Sequence, residues 1–308
     1  MNASQFKKKF GRPAVTLDKC PVLAIGNHKG GVGKSWVSCW FAAVAAYAGF
    51  RVLLVDLCPQ RNATDRLVDS REHFDKKYLD VLDLIIDPAV NVPDVIVGSK
   101  IENLFLIPSA RDIDDRFNAV AFTRFSTPVL SLKKKLDPYR QHVDLIIIDT
   151  APNLGLLNKT AFGAASHYMY VHDGSRDSDS GVMGTEEALN ATIKDVNAEL
   201  RCLGVLWNNI HTQSKTMKIA EQTNEIIDLS YFPKVIPARQ NAKNSTWDEP
   251  DEAFHLRNIF TSDTRLKDIE DAVYENALHT FVSMGLLIDK SKMKAEGKVK
   301  KLDGGNFK

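Results

Sequence analysis

The chain has 308 residues, 44% hydrophobic and 26% charged, with a formal net charge of +1. That length buries a sizeable core in one large α/β domain or two smaller ones. The near-neutral balance excludes a polycation, so any nucleic-acid affinity must come from local patches. The four cysteines (Cys20, Cys39, Cys58, Cys202) include no C-x-x-C pair, which argues against a zinc or disulfide framework and fits reduced thiols in the cytosol.

In chain order, residues 1–20 form a basic arm: Lys7, Lys8, Lys9, Arg12 and Lys19 stand against one acid, Asp18. No apolar core follows the basic residues, so no signal peptide is expected. Pro21–Asn27 is a continuous apolar run ending in small residues, the pattern of a fully buried parallel strand. A glycine-rich turn follows, then a helix over Ser35–Ala48 that Gly49 stops. The apolar stretch Val37–Phe50 is shorter than the ~20 residues of a membrane span and reads as a buried helix. Arg51–Asp56, Leu104–Ser109, Val143–Asp149, His167–Asp173, Cys202–Asn209 and Phe232–Pro237 continue the strand series, with helix-length segments between them.

Short apolar strands alternating with helical segments predict an α/β fold, a doubly wound and mostly parallel sheet flanked by helices. The pattern has no internal repeat and predicts a single domain over 21–288. Leu132–Leu136 (LKKKL) reads as the outer face of a crossover helix, and polar Arg239–Phe254 as a long surface loop. The tail over 289–308 carries seven lysines against three acids and reads as a second basic arm.

Strand, glycine-rich turn, Gly-Lys-Ser and helix is the order of a phosphate-binding loop. Backbone N–H groups of Gly30, Gly31, Val32, Gly33, Lys34 and Ser35 would cradle phosphates at the positive end of the helix. Lys34 would contact the β- and γ-phosphates, and the Ser35 hydroxyl would ligate Mg²⁺. The general pattern asks for glycine at position 28, where this chain has histidine. The loop instead carries a second lysine, Lys29, immediately before the paired glycines.

KGGVGKS is the deviant form of the loop and resembles the ParA/MinD family of P-loop ATPases, closest to the Soj-like partition proteins. LLVDLCPQRNATD (Leu53–Asp65) resembles that family's second motif, and DLIIIDTAPNLG (Asp144–Gly155) its Walker B strand and following switch. FLIPSARDIDD and VIPARQNAKNS resemble two later motifs, so the likeness runs over roughly residues 21–285. It implies that Lys29 crosses a dimer interface to the ATP of the other subunit, where it stabilises charge as an arginine finger does. It also implies Asp149 and Asp56 in the Mg²⁺ shell. Trp36 departs from the family, where a small hydroxyl residue commonly follows the serine or threonine of the loop; it is expected beside the nucleotide or at the dimer face, with core packing the better expectation. Asn208 or Asn209, with Pro237 to Arg239, would lie near the adenine.

A second position departs from the family. Where its second motif has a second acid that positions the attacking water, this chain has Cys58. A thiol with a reference pKa of ~8.5 is a poor proton acceptor near neutral pH. Losing such a group costs ~10²–10⁴ in rate. Either the protein is a slow ATPase that persists as an ATP dimer, or Gln60 or Asp65 takes over.

The resemblance implies an ATP-dependent homodimer that binds DNA without sequence preference. A ParB-like or other centromere-binding adaptor would release it, so that plasmid or chromosomal DNA is segregated. Candidate phosphate contacts are Arg257, Arg265, Lys267, Lys290, Lys292 and Lys294. The expected location is cytoplasmic, on the nucleoid when ATP is bound. Alternatives are a hydrolysis-impaired, nucleotide-gated binding protein and a ParA-like positioner of a protein cargo. MinD-like membrane cycling would need an amphipathic C-terminal helix, which the lysine-rich tail does not supply. The iron–sulfur relatives need a cysteine pair, and the bacterial tyrosine kinases a C-terminal tyrosine cluster; neither pattern is present.

Overall fold

The computed structural model describes residues 20–68, 79–99, 101–210, 232–238 and 267–286. The basic arm, the loop 239–254 and the tail lie outside them. The strands are β1 (Val22–Gly26), β2 (Val52–Asp56), β3 (Val97–Gly98), β4 (Leu104–Ile107), β5 (Leu145–Asp149), β6 (His167–His172) and β7 (Arg201–Trp207). They form one sheet in the order β3-β4-β2-β5-β1-β6-β7. Every pairing is parallel except β3 with β4, an antiparallel edge.

Between the strands run α1 (Lys34–Tyr47), α2 (Asn62–Leu67), α3 (Val81–Ile86), α4 (Val92–Val95), α5 (Ile113–Arg124), α6 (Ser131–Leu136), α7 (Leu156–Ala164) and α8 (Arg176–Asp195), and α9 (Lys267–Ser283) follows β7. Strand residues alternate between two cores, because successive side chains point to opposite faces. Leu23, Ile25, Leu54 and Ile147 meet α1, α2 and α9 on one face. Val22, Ala24, Val55 and Ile148 meet α3 to α8 on the other. Burial on both faces explains why the strands read as unbroken apolar runs rather than alternating ones.

Helix α1 is buried nearly all round because it is sandwiched between the sheet and α9, with Phe41 set edge-on to Phe281 at 6.4 Å. Burying an aromatic of that size contributes roughly 2 kcal/mol. In α6, Leu132 and Leu136 are buried while Lys134 is exposed, and Lys135 donates to the carbonyls of Asp87 and Val90.

Two expectations change. Phe232–Pro237 is no strand but a segment with one isolated parallel bridge, Ile210 to Pro237. Pro233 and Pro237 have no N–H to donate, so a regular ladder cannot form. The edge strand β3 was not expected, since two residues carry no periodic signal. No helix among the described residues is long and apolar enough to cross a membrane.

Candidate active site

The sheet places β1 between β5 and β6, so the chain leaves β1 toward β2 on one side and returns to β6 on the other. Ligands of open α/β sheets bind at such a switch point, outside the carboxyl ends of the strands. Three strands end there in aspartates or next to one: Asp56 closes β2, Asp149 closes β5, and Asp173 follows β6.

The glycine-rich loop leaves β1 with Gly30 and Gly31 exposed and Val32 buried. Among the described residues, no backbone acceptor is bonded to the N–H of Gly30, Gly31 or Gly33. Three such donors at a helix N-terminus suit an anion. Gly33 precedes α1 with φ of 92°, where a side chain is strained, and a Cβ there would stand 2.2 Å from Asn208 Nδ2. That amide donates to the Val32 carbonyl at 2.9 Å and braces the loop from the end of β7. Lys34 is 6% exposed, and its Nζ donates to the carbonyl of Lys29 at 2.8 Å. Burial pulls its pKa down, against the attraction of Asp149.

Asp56 and Asp149 are both fully buried, on adjacent paired positions of β2 and β5. Burial raises both carboxyls, and Asp56 raises Asp149 further. Their partners differ. Asp56 Oδ1 accepts from the Cys58 N–H at 2.9 Å, while Oδ2 accepts from the Thr64 N–H at 2.9 Å and the Thr64 hydroxyl at 2.8 Å. Asp149 Oδ1 accepts from the Ser38 hydroxyl at 3.1 Å, and Ser35 also hydrogen-bonds to this carboxylate. Its Oδ2 is buried with no hydrogen-bond partner. An open carboxylate oxygen beside a serine hydroxyl is a hard oxygen donor set suited to a divalent cation such as Mg²⁺.

Cys58 is 4% exposed, and burial, with the charges of Asp149 and Asp56, pushes its thiol up to about 12. It is a neutral thiol across the physiological range. Gln60 is exposed in the turn, and exposed Asp65 lies 3.6 Å from the Arg61 guanidinium. Half-buried Arg66 has its pKa lowered by desolvation and lies within the field of Cys39 and Asp149.

Lys29 is held within its own chain. Its Nζ meets Asp173 Oδ2 at 2.8 Å and the Ser175 hydroxyl at 2.5 Å. Burial pushes Asp173 up, but hydrogen bonds from Lys29, Ser178 and Ser175 outweigh it and hold the carboxyl well below the ordinary range.

The expected adenine-side residues sit together. Asn208 is buried against the loop, and Asn209 has a left-handed φ of 59°. Ile236 and Ala238 donate to the carbonyls of Trp207 and Ile210, which seats Pro237 beside the end of β7. Trp36 packs on the core, 5.4 Å from the Trp40 ring. Arg239, Arg257, Arg265, Lys290, Lys292 and Lys294 lie outside the described residues, and Lys267 opens α9.

Sequence reading missed Ser38, Thr64 and Asp173 as parts of the site. Ser38 lies one helical turn after Lys34, and Asp173 ends an apolar run as Asp56 and Asp149 do, so both carried a signal.

A family model described as an AAA domain matches residues 20–202. The sporulation initiation inhibitor protein Soj of Bacillus subtilis is 30% identical over 217 residues, covering 70% of this chain and 83% of Soj. The chromosome-partitioning ATPase Soj of Treponema pallidum is 27% identical over 216 residues, covering 70% of this chain and 82% of that protein. In fold alone, the ATP complex of a McdA variant from Cyanothece matches with a TM-score of 0.69 at 23% identity, covering 84% of this chain and 96% of that one. A two-lysine phosphate loop, strand-end carboxylates beside it and these likenesses agree: the chain belongs to the ParA/MinD-type P-loop ATPases.

Proposed function

We propose that this protein is a ParA-type ATPase. In this reading ATP joins two copies into a sandwich dimer, and the dimer binds DNA without sequence preference. Adaptor-stimulated hydrolysis then releases it, so that plasmid or chromosomal DNA is segregated. The observation that carries the reading is a single loop with two lysines in different settings. Lys34 lies buried against the loop backbone, and Lys29 stands apart at the β6 side.

The roles follow from the chemistry. Gly30 to Ser35 cradle the phosphates, and Lys34 neutralises the β- and γ-oxygens of the nucleotide in its own subunit. Asp149 and Ser35 hold Mg²⁺, with Asp56 anchoring the loop behind them. When bound, the cation neutralises charge that develops on the phosphates. Lys29 serves the nucleotide of the second subunit. Asn208, Asn209, Pro237 and Arg239 flank the base. Arg257, Arg265, Lys267, Lys290, Lys292 and Lys294 contact DNA phosphates, and a ParB-like protein is the adaptor.

Hydrolysis is slow, because a buried neutral thiol at Cys58 neither takes a proton from the attacking water nor orients it strongly. Turnover of Cys58→Asp should exceed wild type by at least about tenfold, toward the ~10²–10⁴ span of such groups, with nucleotide affinity retained. Equal turnover would show that another residue positions the water. The decisive test of the whole reading is binding to a random DNA duplex with ATP–Mg²⁺, ADP–Mg²⁺ or no nucleotide at two salt concentrations. Tight, salt-sensitive binding with ATP alone is expected. No binding in any state, with ATP-dependent dimerisation present, would remove DNA as the surface and favour a protein cargo.

A further inference from the structure

We propose that Asp173 is a positioning residue that latches Lys29 inside its own subunit, so that the pair must open before the lysine can serve a second subunit. The inference rests on the proposed function, in which Lys29 acts across a dimer.

Both ends of the latch are built. Asp173 Oδ1 is filled by the Ser175 N–H at 3.2 Å, the Ser175 hydroxyl at 2.7 Å and the Ser178 hydroxyl at 2.6 Å, which leaves Oδ2 to Lys29. The turn carrying Asp173 is itself fixed by its neighbour. The Gly174 N–H donates to His172 Nδ1 at 2.9 Å, and His172 Nε2 meets Asp179 at 2.8 Å.

The lysine end is clamped to β6 and to α8. Asn27 donates to the Val171 carbonyl and accepts from the Lys29 N–H, each at 2.9 Å, and the His28 N–H donates to the Thr185 hydroxyl at 3.2 Å. The approach leaves no slack: a Cβ on Gly181 of α8 would stand 2.1 Å from Asn27 Oδ1.

An ion pair between two exposed, flexible side chains gains little, since ordering both offsets the attraction. Here the two backbones are already held against each other, and Lys29 and Asp173 are only 23% and 18% exposed. A lysine engaged by its own Asp173 and Ser175 cannot at the same time reach a nucleotide in another chain. The latch therefore opposes dimer assembly until a phosphate chain outcompetes a single carboxylate for the ammonium.

The test compares the full chain with Asp173→Asn, which keeps the shape and removes the charge. In nucleotide-free protein, the acylation rate of Lys29, read by mass spectrometry, should rise in the variant. By sedimentation with a non-hydrolysable ATP analogue and Mg²⁺, the dimer dissociation constant should fall by about three- to tenfold, the reach of one partly exposed pair. A turn merely damaged by the change would weaken the dimer instead.

Unchanged Lys29 reactivity would show that the pair does not hold the lysine. Raised reactivity with an unchanged or weaker dimer would show that the pair is no latch, and either result overturns the proposal. A wild-type chain that never dimerises with the analogue overturns the functional reading and the latch with it, while the reactivity comparison still reports on the pair. Should Asp173→Asn fail to fold, Ser175→Ala removes the other anchor and must shift both readouts in the same direction, by less.

Discussion

Asp56 and Asp149 end neighbouring strands in register, are equally buried, and serve different ends because of what donates to them. Asp56 receives three hydrogen bonds from Cys58 and Thr64, so its charge is spent on holding the loop that leads into α2. Asp149 keeps one buried oxygen without a partner. A buried acceptor left open costs free energy in the empty protein and gains it back from a ligand. In the proposed reading one aspartate therefore supports the fold and the other the chemistry, although the sequence writes them alike.

The sharpest way to break that contrast is Asp149→Asn. Mg²⁺-dependent turnover should fall by about 10²–10³, while the urea midpoint of the metal-free protein holds or rises, since a buried charge is gone. A stability loss with turnover intact would reverse the assignment. Asp56→Ala should act mainly on folding. It leaves the Cys58 and Thr64 N–H groups and the Thr64 hydroxyl without their acceptor, a loss of about 2–3 kcal/mol in urea unfolding.

Proton titration separates the two carboxylates further. Burial and the charge of Asp56 raise Asp149, while Lys34 and the hydroxyls of Ser35 and Ser38 pull it back. A protonated carboxyl does not hold Mg²⁺, so affinity should weaken as pH falls, beginning above the ordinary carboxylate range of ~4 and tending to tenfold per pH unit. In the metal-free protein the sign is opposite. A carboxyl raised by folding contributes stability in acid that is lost as pH climbs through its folded value. Calorimetric Mg²⁺ titrations that stay flat down to ~pH 4 would contradict the raised carboxyl. The smallest effect belongs to Thr64→Val, about 1 kcal/mol of stability, since the Thr64 hydroxyl also accepts from the Ser109 N–H at 3.1 Å.

Much of this was legible in the sequence because it is local. Six of the seven expected strands exist, since two-sided burial writes itself as apolar runs such as LIIID. The phosphate loop and both strand-end aspartates were readable for the same reason. What stayed hidden depends on contacts between distant residues. The Lys29–Asp173 pair spans 144 positions. The saturation of Asp56 comes from backbone N–H groups, whose direction no residue letter records. Phe232–Pro237 misled because its apolar letters outweighed two prolines that cannot donate.

The contact of Lys34 with the Lys29 carbonyl has an entropic consequence. A free lysine carries roughly 2 kcal/mol of rotamer entropy, which a phosphate would have to overcome in ordering it. Here the side chain is already immobilised when the chain folds, and an ammonium has three N–H donors, of which this contact uses one. The remaining two meet an arriving anion without a search over rotamers, so the loop's affinity for phosphate is set in part before any ligand is present.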